Sequence, residues 1–325
     1  TECLVTSPGY YTESNASTTQ IPCPLGKYNP VSGANSVAMC LDADPGNFSA
    51  ILGALSQIPC PAGEYQPYSG QVSCLQADPG KFGQSQGEES QEECQPGGYQ
   101  PYSGQQNCID ADPGYFVDLV MATTLTPCPS GTYNPNFSAM SQSSCLESEE
   151  GYYVATEGSA VQDKCAPGTY QPSPGQSTCL EADPGFFTSS EASSTQEECA
   201  PGTYQPSPGQ STCLGADPGF FVSEAGQSQQ TPAPFDQFVS SARSIVAESC
   251  PENTITLQES STSEDECLTD SDGDRLHDEV DQDDDGDGID DIIDRCPLGL
   301  GGWSSTVDVD NDSDGCKDIE EDEDD

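Results

Sequence analysis

Aspartates near the C-terminus recur at the spacing of a calcium loop. In the segment DDDGDGIDDIID, acidic side chains occupy places 1, 3, 5, 9 and 12, a glycine occupies place 6, and the residue at place 7 offers its carbonyl. Ca²⁺ takes six to eight oxygen ligands, so alternating carboxylates around a turn-permitting glycine can wrap one ion. The side-chain ligands of this loop are Asp283, Asp285, Asp287, Asp291 and Asp294.

The same spacing occurs twice more. An earlier loop consists of Asp270, Asp272, Asp274, Asp278 and Asp281, and a later one of Asp310, Asp312, Asp314, Asp318 and Glu321. Arg275 stands where the earlier loop should have glycine, whereas Glu321 holds the bidentate place of the later one. The alternative is an acidic, disordered tail, but the regular spacing argues against it. The sequence therefore predicts three sites with Ca²⁺ as a structural cofactor.

The charge of the chain limits its partners. Its 56 acidic and 7 basic residues give a formal net charge of -49. Nucleic acids and anionic membrane surfaces would be repelled, so we expect neither a nucleic-acid partner nor membrane contact within this segment. Divalent cations are the favoured counterions.

The 17 cysteines follow a regular spacing. From Cys3 to Cys108 the steps are 20, 17, 20, 14, 20 and 14 residues, and the same six steps recur from Cys108 to Cys213. The chain is thus a duplicated 105-residue block of three repeats. Such periods are typical of arrays in which each unit packs on its neighbours, which predicts an elongated rod.

Each repeat is too small to fold on apolar burial alone. The chain is 33% hydrophobic and contains 32 glycines and 27 prolines. Two aromatics per repeat are expected to supply most of the core, and Asp-Pro-Gly segments predict turns. The predicted fold is a series of small disulfide-rich repeats, mostly irregular with short β-strands and turns. Because disulfides persist in oxidising compartments, we expect an extracellular or cell-surface protein.

Two disulfide registers remain open from spacing alone. The favoured short-loop register pairs Cys23 with Cys40, Cys60 with Cys74, Cys94 with Cys108, Cys128 with Cys145, Cys165 with Cys179, Cys199 with Cys213, Cys250 with Cys267, and Cys296 with Cys316. It leaves Cys3 alone, with a partner expected before Thr1. The shifted register pairs Cys3 with Cys23 and continues across the 20-residue gaps.

The regular spacing breaks after Phe221. In PFDQFVSSARSIVAES, apolar residues recur at the i, i+3, i+4 and i+7 positions. This pattern predicts one short amphipathic helix near 235–247. The predicted domains are therefore tandem repeats over 1–222, a linker with this helix and a last cysteine loop over 223–268, and a calcium-binding region over 269–325.

Two resemblances follow from these motifs. Through C-P-x-G-x-Y followed by a cysteine at fourteen residues, residues from about 3 to 222 resemble the cysteine-rich modules of ephrin-receptor-like and tumour-necrosis-factor-receptor-like extracellular regions. Through D-R-C-P directly after an aspartate loop, residues 269–325 resemble thrombospondin type 3 repeats. The second resemblance implies that bound Ca²⁺ ions form the core of a region with few hydrophobic residues.

The sequence contains candidate glycosylation sites but no convincing catalytic motif. Sequons at Asn15, Asn47 and Asn136 predict N-glycan acceptors if the host glycosylates. The literal G-x-S-x-G at 83–87 lacks the strand-turn-helix context of a nucleophile elbow, and the only histidine, His277, lies far from it. We therefore expect no enzyme.

Two functional classes fit these features. The first is an extracellular structural protein, a segment of a fibre, stalk or surface filament cross-linked by disulfides and stabilised by Ca²⁺, which self-associates or continues in a longer parent chain. The second is an adhesin or receptor-like ectodomain whose rod presents a ligand-binding site. The regular 105-residue period favours the first, since open filaments require regular head-to-tail contacts.

Overall fold

The computed structural model of the chain describes residues 5–14, 17–299, 303–306, 310 and 313–317. The chain divides into two compact units. One unit consists of Thr1–Asp163 with Ser173–Thr178, and the other of Lys164–Pro172 with Cys179–Asp325. Both contain tandem small β-hairpins, and the described residues contain almost no helix.

Every strand in the described part of the chain is two residues long. In chain order, the first fifteen are β1 Tyr10–Tyr11, β2 Ile21–Pro22, β3 Lys27–Tyr28, β4 Leu41–Asp42, β5 Asn47–Phe48, β6 Ile58–Pro59, β7 Glu64–Tyr65, β8 Leu75–Gln76, β9 Lys81–Phe82, β10 Glu92–Glu93, β11 Gly98–Tyr99, β12 Ile109–Asp110, β13 Tyr115–Phe116, β14 Thr126–Pro127 and β15 Thr132–Tyr133. The next fifteen are β16 Leu146–Glu147, β17 Tyr152–Tyr153, β18 Asp163–Lys164, β19 Thr169–Tyr170, β20 Leu180–Glu181, β21 Phe186–Phe187, β22 Glu197–Glu198, β23 Thr203–Tyr204, β24 Leu214–Gly215, β25 Phe220–Phe221, β26 Thr231–Pro232, β27 Gln237–Phe238, β28 Glu248–Ser249, β29 Thr254–Ile255 and β30 Leu268–Thr269. Three 3₁₀ turns, Val37–Met39, Gln142–Ser144 and Glu264–Glu266, each precede a cysteine.

Consecutive strands pair antiparallel. In the first unit β1 pairs with β2, and the order continues to β15 with β16; in the second, it runs from β19 with β20 to β29 with β30. In most of these hairpins the first strand carries an aromatic residue, as in the pair Tyr65 and Leu75. The fold class predicted from sequence, small disulfide-rich repeats with short strands and turns, is confirmed.

A small residue follows the second strand of each hairpin, at what we call the junction. Its N–H donates to the carbonyl of the residue before the first strand, as from Cys23 to Gly9 at 2.8 Å and from Ala43 to Gly26 at 2.9 Å. Thirteen junctions are at most 1% exposed: Cys23, Ala43, Cys60, Ala77, Cys94, Ala111, Cys128, Ser148, Cys165, Ala182, Cys199, Ala216 and Ala233. From Cys23 to Ala216, cysteine alternates with alanine or Ser148, because every second hairpin of this stretch is closed by a disulfide.

Successive hairpins are held by backbone hydrogen bonds. The N–H of Gly26 donates to the carbonyl of Ser49 in the following hairpin at 2.8 Å. Gly26 has a φ of 79°, and a β-carbon there would collide with the carbonyl of Gly70. Only glycine allows both this left-handed backbone and this close approach.

The buried core differs from the expected aromatic ladder. Most of the strand aromatics are only half-buried, whereas Val154, Val222 and Val239 are each 1% exposed. These valines directly follow the aromatic of the first strand. In most hairpins the buried core is therefore the junction together with this following residue.

The eight disulfides among the described residues follow the short-loop register. They are Cys23–Cys40, Cys60–Cys74, Cys94–Cys108, Cys128–Cys145, Cys165–Cys179, Cys199–Cys213, Cys250–Cys267 and Cys296–Cys316. Cys3 lies outside the described residues. Closing loops of this size stabilises the fold by about 3 kcal/mol each in the chain-entropy model.

The predicted helix near 235–247 is wrong. These residues contain β27 and continue the hairpin series. Ala233 takes a junction place, and Asp236 stands where the preceding hairpins have glycine, with a φ of 61°. Aspartate tolerates the left-handed region better than most residues, so the turn survives without glycine. The helical spacing of apolar residues was coincidental, because the segment lacks both cysteine and glycine as hairpin markers.

Candidate metal centre

The acidic region begins at a junction of the hairpin series. Asp270 follows β30, and its N–H donates to the carbonyl of Asn253 at 3.0 Å, as earlier junction residues donate to the residue before their own first strand. Asp270 is 3% exposed. A carboxylate thus occupies the buried place that holds cysteine or alanine elsewhere in the series.

Two groups of aspartates can hold a metal ion. Carboxylate oxygens of Asp270, Asp272 and Asp274 all lie within 4.8 Å of one another, and so do those of Asp283, Asp285 and Asp287. Asp285 is 1% exposed and Asp287 2% exposed. Like charges this close disfavour one another, so a cation between them would relieve the repulsion.

Where they are described, the three loops share one backbone-to-carboxylate hydrogen bond. The place-1 carboxylate accepts a hydrogen bond from the place-6 N–H: Asp270 from Arg275 at 3.3 Å, Asp283 from Gly288 at 2.9 Å, and Asp310 from Gly315 at 3.3 Å. The place-6 residues all have positive φ, 79° at Arg275, 99° at Gly288 and 89° at Gly315. Arg275 therefore adopts the backbone that glycine adopts in the other two loops.

The aspartates at place 9 accept hydrogen bonds from within their own loops. Asp278 accepts hydrogen bonds from the N–H and hydroxyl of Ser271, both at 3.0 Å. Asp291 accepts from the N–H of Asp284 at 2.9 Å. Burial, followed by the charge of Asp291, raises the pKa of Asp284. In both described cases, place 9 therefore bonds to the residue at place 2.

Asp294, at place 12 of the middle loop, has an unsatisfied buried oxygen. Its Oδ1 accepts from the N–H of Cys296 at 2.7 Å, whereas its buried Oδ2 has no hydrogen-bond partner among the described residues. The side chain is 9% exposed. Burial, together with the charges of Asp285 and Asp287, raises the pKa of Asp294 to about 6. A buried carboxylate oxygen without a donor is suited to a cation.

Burial also raises the pKa of Asp285, although N–H groups of Asp287 and Gly299 act against it. At Asp310 the balance is reversed. Burial acts to raise its pKa, but hydrogen bonds from the Ser305 hydroxyl and the Gly315 N–H outweigh burial and lower the pKa. The middle loop therefore holds the most strongly disfavoured negative charge.

Carboxylates of one loop lie on glycines of the next. A β-carbon on Gly286 would come within 2.7 Å of Oδ2 of Asp272, and one on Gly315 would collide with the carboxylate of Asp294. The middle and last loops are also joined by the Cys296–Cys316 disulfide and by an ion pair of 3.0 Å between Arg295 and Asp314. The three loops are thus packed successively against one another.

Arg275 ties the first loop to the preceding hairpins. Its guanidinium donates to Asp236 at 3.1 Å and lies 5.9 Å from the centre of the Phe235 ring. Sequence reasoning missed this contact. The available signal was that Asp236 and Arg275 both stand where glycine is expected.

The predicted ligands differ in how far the structure describes them. Asp281 accepts from the N–H of Asp283 at 3.2 Å, which places it between the first two loops. Asp312, Asp318 and Glu321 lie outside the described residues. The assignment of the metal ligands stays a prediction, and the described carboxylate clusters are compatible with a hard cation such as Ca²⁺ or Mg²⁺.

The glycan acceptors are placed differently. Asn136 is exposed, whereas Asn47 is half-buried and donates to the carbonyl of Pro45 at 3.2 Å. Ser49, which completes the second sequon, is 1% exposed, and its hydroxyl donates a hydrogen bond to the carbonyl of Lys27. Asn15 lies outside the described residues.

Among the described residues, no helix has the length and apolar character needed to cross a membrane.

Comparisons with known proteins give one result. No curated protein matches the chain. A family model does match residues 151–199, which contain the Cys165–Cys179 disulfide and hairpins of the second block. The disulfides and this module indicate an extracellular receptor-like or structural ectodomain. Over residues 151–199 the chain is similar to the family described as tyrosine-protein kinase ephrin type A/B receptor-like.

Proposed function

We propose that this chain is a segment of an extracellular structural protein, a fibre, stalk or surface filament, in which Ca²⁺ orders the acidic region. The observation that carries the proposal is the middle loop. Asp285 and Asp287 are almost fully buried with their carboxylate oxygens close together. Burying such a group requires a compensating cation, and an all-oxygen ligand set favours Ca²⁺ over softer metals.

The identity of the region follows the same argument. The loops resemble thrombospondin type 3 repeats in their spacing, and each is wound around a place-1 aspartate. The residues that would hold the ions are Asp270, Asp272, Asp274, Asp283, Asp285, Asp287 and Asp294, with Asp310 and Asp314 in the last loop. Bound Ca²⁺ would neutralise charge that the 7 basic residues of the chain cannot balance.

The regular hairpins supply the second part of the proposal. Among the described residues, their backbone hydrogen bonds and disulfides are built around small buried junctions. A structural, non-catalytic role fits such an array better than an enzyme does. Self-association or tandem extension of the parent chain would then form the filament.

Calcium binding is tested by titrating the full chain against a chromophoric chelator while small-angle scattering records its dimensions. We expect at least two ions per chain, filled at about 10⁻⁴–10⁻³ M as in other extracellular modules, with contraction of the chain. No binding in this range, or binding without contraction, would contradict the metal proposal.

The filament is tested by electron microscopy of native material with Ca²⁺ and with chelator. We expect long filaments with a regular axial repeat that fray when Ca²⁺ is removed. Discrete single chains in both conditions would contradict the filament and favour the second candidate, a receptor-like ectodomain or adhesin. The match at residues 151–199 is the observation that supports that candidate.

A further inference from the structure

Two successive disulfide loops of the first block each carry an exposed tyrosine at the same place. The loops are closed by Cys60–Cys74 and Cys94–Cys108, and the tyrosine stands eight residues after the first cysteine of each. Tyr68 and Tyr102 are both 67% exposed. Among the described residues, neither tyrosine hydroxyl forms a hydrogen bond, and only the backbone N–H of each tyrosine is held. Both rings are therefore open to a ligand.

The tip of the second loop is fixed by a buried glutamine. Gln100 is 2% exposed, its Nε2 donates to the carbonyl of Asn107 at 2.7 Å, and its Oε1 accepts from the N–H of Tyr102 at 3.2 Å. The hydroxyl of Ser103 donates to Oε1 of Gln76 in the preceding disulfide hairpin at 3.2 Å. Tyr102 is thus presented on a loop whose backbone is already ordered, which lowers the entropy cost of binding.

The second block shows that this loop does not need a tyrosine to fold. The place of Tyr102 is Ser207 there. Gln205 makes the same two hydrogen bonds, to the carbonyl of Thr212 at 2.8 Å and from the N–H of Ser207 at 3.2 Å. The tyrosine is therefore an addition to a frame that is complete with serine.

An open groove of about 520 Å³ lies beside Tyr102. Its lining includes Gln106 and Asn107, which are exposed and whose side-chain amides form no hydrogen bond to another described residue. Ile109 supplies an apolar edge. The described residues that line the groove include no charged side chain, although the chain has 56 acidic residues. The groove thus combines one exposed ring with unpaired amides in a neutral setting.

This combination suits a ligand with an apolar face and a rim of hydroxyl groups. An amide both donates and accepts hydrogen bonds, so it can pair with a hydroxyl in either direction. An aromatic ring offers a flat apolar face to the C–H groups of a sugar ring. We propose that the groove binds a neutral oligosaccharide, with one sugar ring on Tyr102 and its hydroxyls on Gln106 and Asn107.

Other occupants suit the groove less well. An anionic glycan would be repelled by a chain with a net charge of -49. Proline-rich peptides lie in grooves lined by several aromatic residues, whereas Tyr102 is the only aromatic among the described residues that line this groove.

Tyr68 offers a second, weaker contact for a longer oligosaccharide. In its loop, Val72 and Ser73 stand where the other loop has Gln106 and Asn107. A sugar on Tyr68 would therefore stack on the ring but find fewer amide partners. The inference goes beyond the structural role proposed above, and it holds for a filament and for a receptor-like ectodomain alike.

The test uses the full chain saturated with Ca²⁺. The probes are β-1,4-linked hexamers of glucose, of mannose and of N-acetylglucosamine, and the matching hexamer of glucuronic acid is the anionic control. Amide NMR signals report binding, with Gly104 and Gln106 in the groove and Gly209 at the equivalent place of the second block. We expect at least one neutral hexamer to shift Gly104 and Gln106 and to leave Gly209 unchanged.

Loss variants take their residues from other loops of the same chain. Tyr102→Ser installs the residue of the second block and should weaken binding about tenfold. Gln106→Val and Asn107→Ser install residues of the preceding loop and should each weaken binding about threefold. Leu119→Ser removes an equally exposed apolar side chain, also 67% exposed, from outside the groove. It should change binding by less than about twofold.

A gain variant keeps the test decisive even if Tyr102→Ser does not fold. The triple variant Ser207→Tyr, Ser211→Gln and Thr212→Asn builds the groove residues into the second block. It should add shifts at Gly209 with the same hexamer.

Four results would overturn the proposal. They are no shift with any neutral hexamer, equal binding by Tyr102→Ser together with no gain at Gly209, stronger binding of the glucuronic acid hexamer, and larger shifts of Gly104 and Gln106 with decaproline than with any sugar. The last result would assign the groove to a peptide instead.

Discussion

The hairpin series and the aspartate loops use the same junction place in different ways. Before Asp270, the junctions are alanine, serine or cysteine, and the unit is closed by backbone pairing and disulfides. At Asp270, the backbone hydrogen bond persists but the buried side chain is a carboxylate. The comparison shows that the same place in the backbone pattern can hold either a small or disulfide-bonded residue or a buried carboxylate. Covalent closure works at any cation concentration, whereas under our metal proposal the buried carboxylates would depend on a cation.

The largest expected effect is therefore metal removal. Chelation should expose the backbone of residues 270–317 and leave 17–269 protected, because only the former buries carboxylates. Hydrogen exchange of the two regions with and without Ca²⁺ measures this. Equal protection of both regions in chelator would contradict a cation-dependent acidic region.

The second effect concerns single disulfides. The variant Cys199→Ala with Cys213→Ala should destabilise its hairpins by about 3 kcal/mol, since a 14-residue loop is no longer closed. Alanine already occupies alternate junctions, so the loss is not confounded by a misfit. Local hydrogen exchange at Gly202 and Gly219 measures it, and chelator should change the loss little. A loss that appears only in chelator would mean that the two regions are coupled.

The third effect concerns one loop. The triple variant Asp283→Asn, Asp285→Asn and Asp287→Asn should lose one bound Ca²⁺ and leave the disulfide hairpins unchanged, since amides coordinate hard cations more weakly. Glu279→Gln, an exposed acid outside the ligand set, is the matched control. Isothermal titration gives the number of ions per chain. An unchanged number in the triple variant would show that the middle loop is not a site.

The smallest effect concerns the joint at Arg275. Arg275→Ala keeps a non-glycine residue at a φ of 79° and loses the ion pair with Asp236, so we expect destabilisation of about 1 kcal/mol. Arg275→Gly loses the same ion pair but relieves the left-handed backbone, which is worth about 1–2 kcal/mol. It should therefore be more stable than the alanine variant in thermal unfolding at saturating Ca²⁺. The reverse order would show that the Arg275 contacts outweigh backbone strain.

Much of the fold was readable from sequence because its determinants are local. Cysteine spacing indicated the repeat period and favoured the short-loop register in which the structure pairs the cysteines. Asp-Pro-Gly segments marked the turns that precede the first strands, as at Asp78, where Gly80 has a φ of 80°. Alternating aspartates marked loops that wind as the spacing requires.

Other features depended on contacts between residues far apart in sequence. The prediction of a helix near 235–247 was wrong because it relied on the helical spacing of the apolar residues. The hairpin pattern in this segment is weak in sequence, and the segment folds as a hairpin because it packs between neighbouring hairpins. Likewise, the sequence shows only that Arg275 replaces the glycine expected in its loop. The structure shows that its guanidinium donates to Asp236, 39 residues away.

The sequence by itself determined the period, the disulfide chemistry and the acidic loops, since each is set by residue types at short spacing. Only the tertiary structure decided that the hairpins continue through residues 235–247, which lack cysteine, and that Asp270 takes the last junction place. It also decided that the Arg243 side chain lies across Gly215. The physical reason is that backbone hydrogen bonds between hairpins, together with close packing on glycine, join residues whose relation no local pattern records.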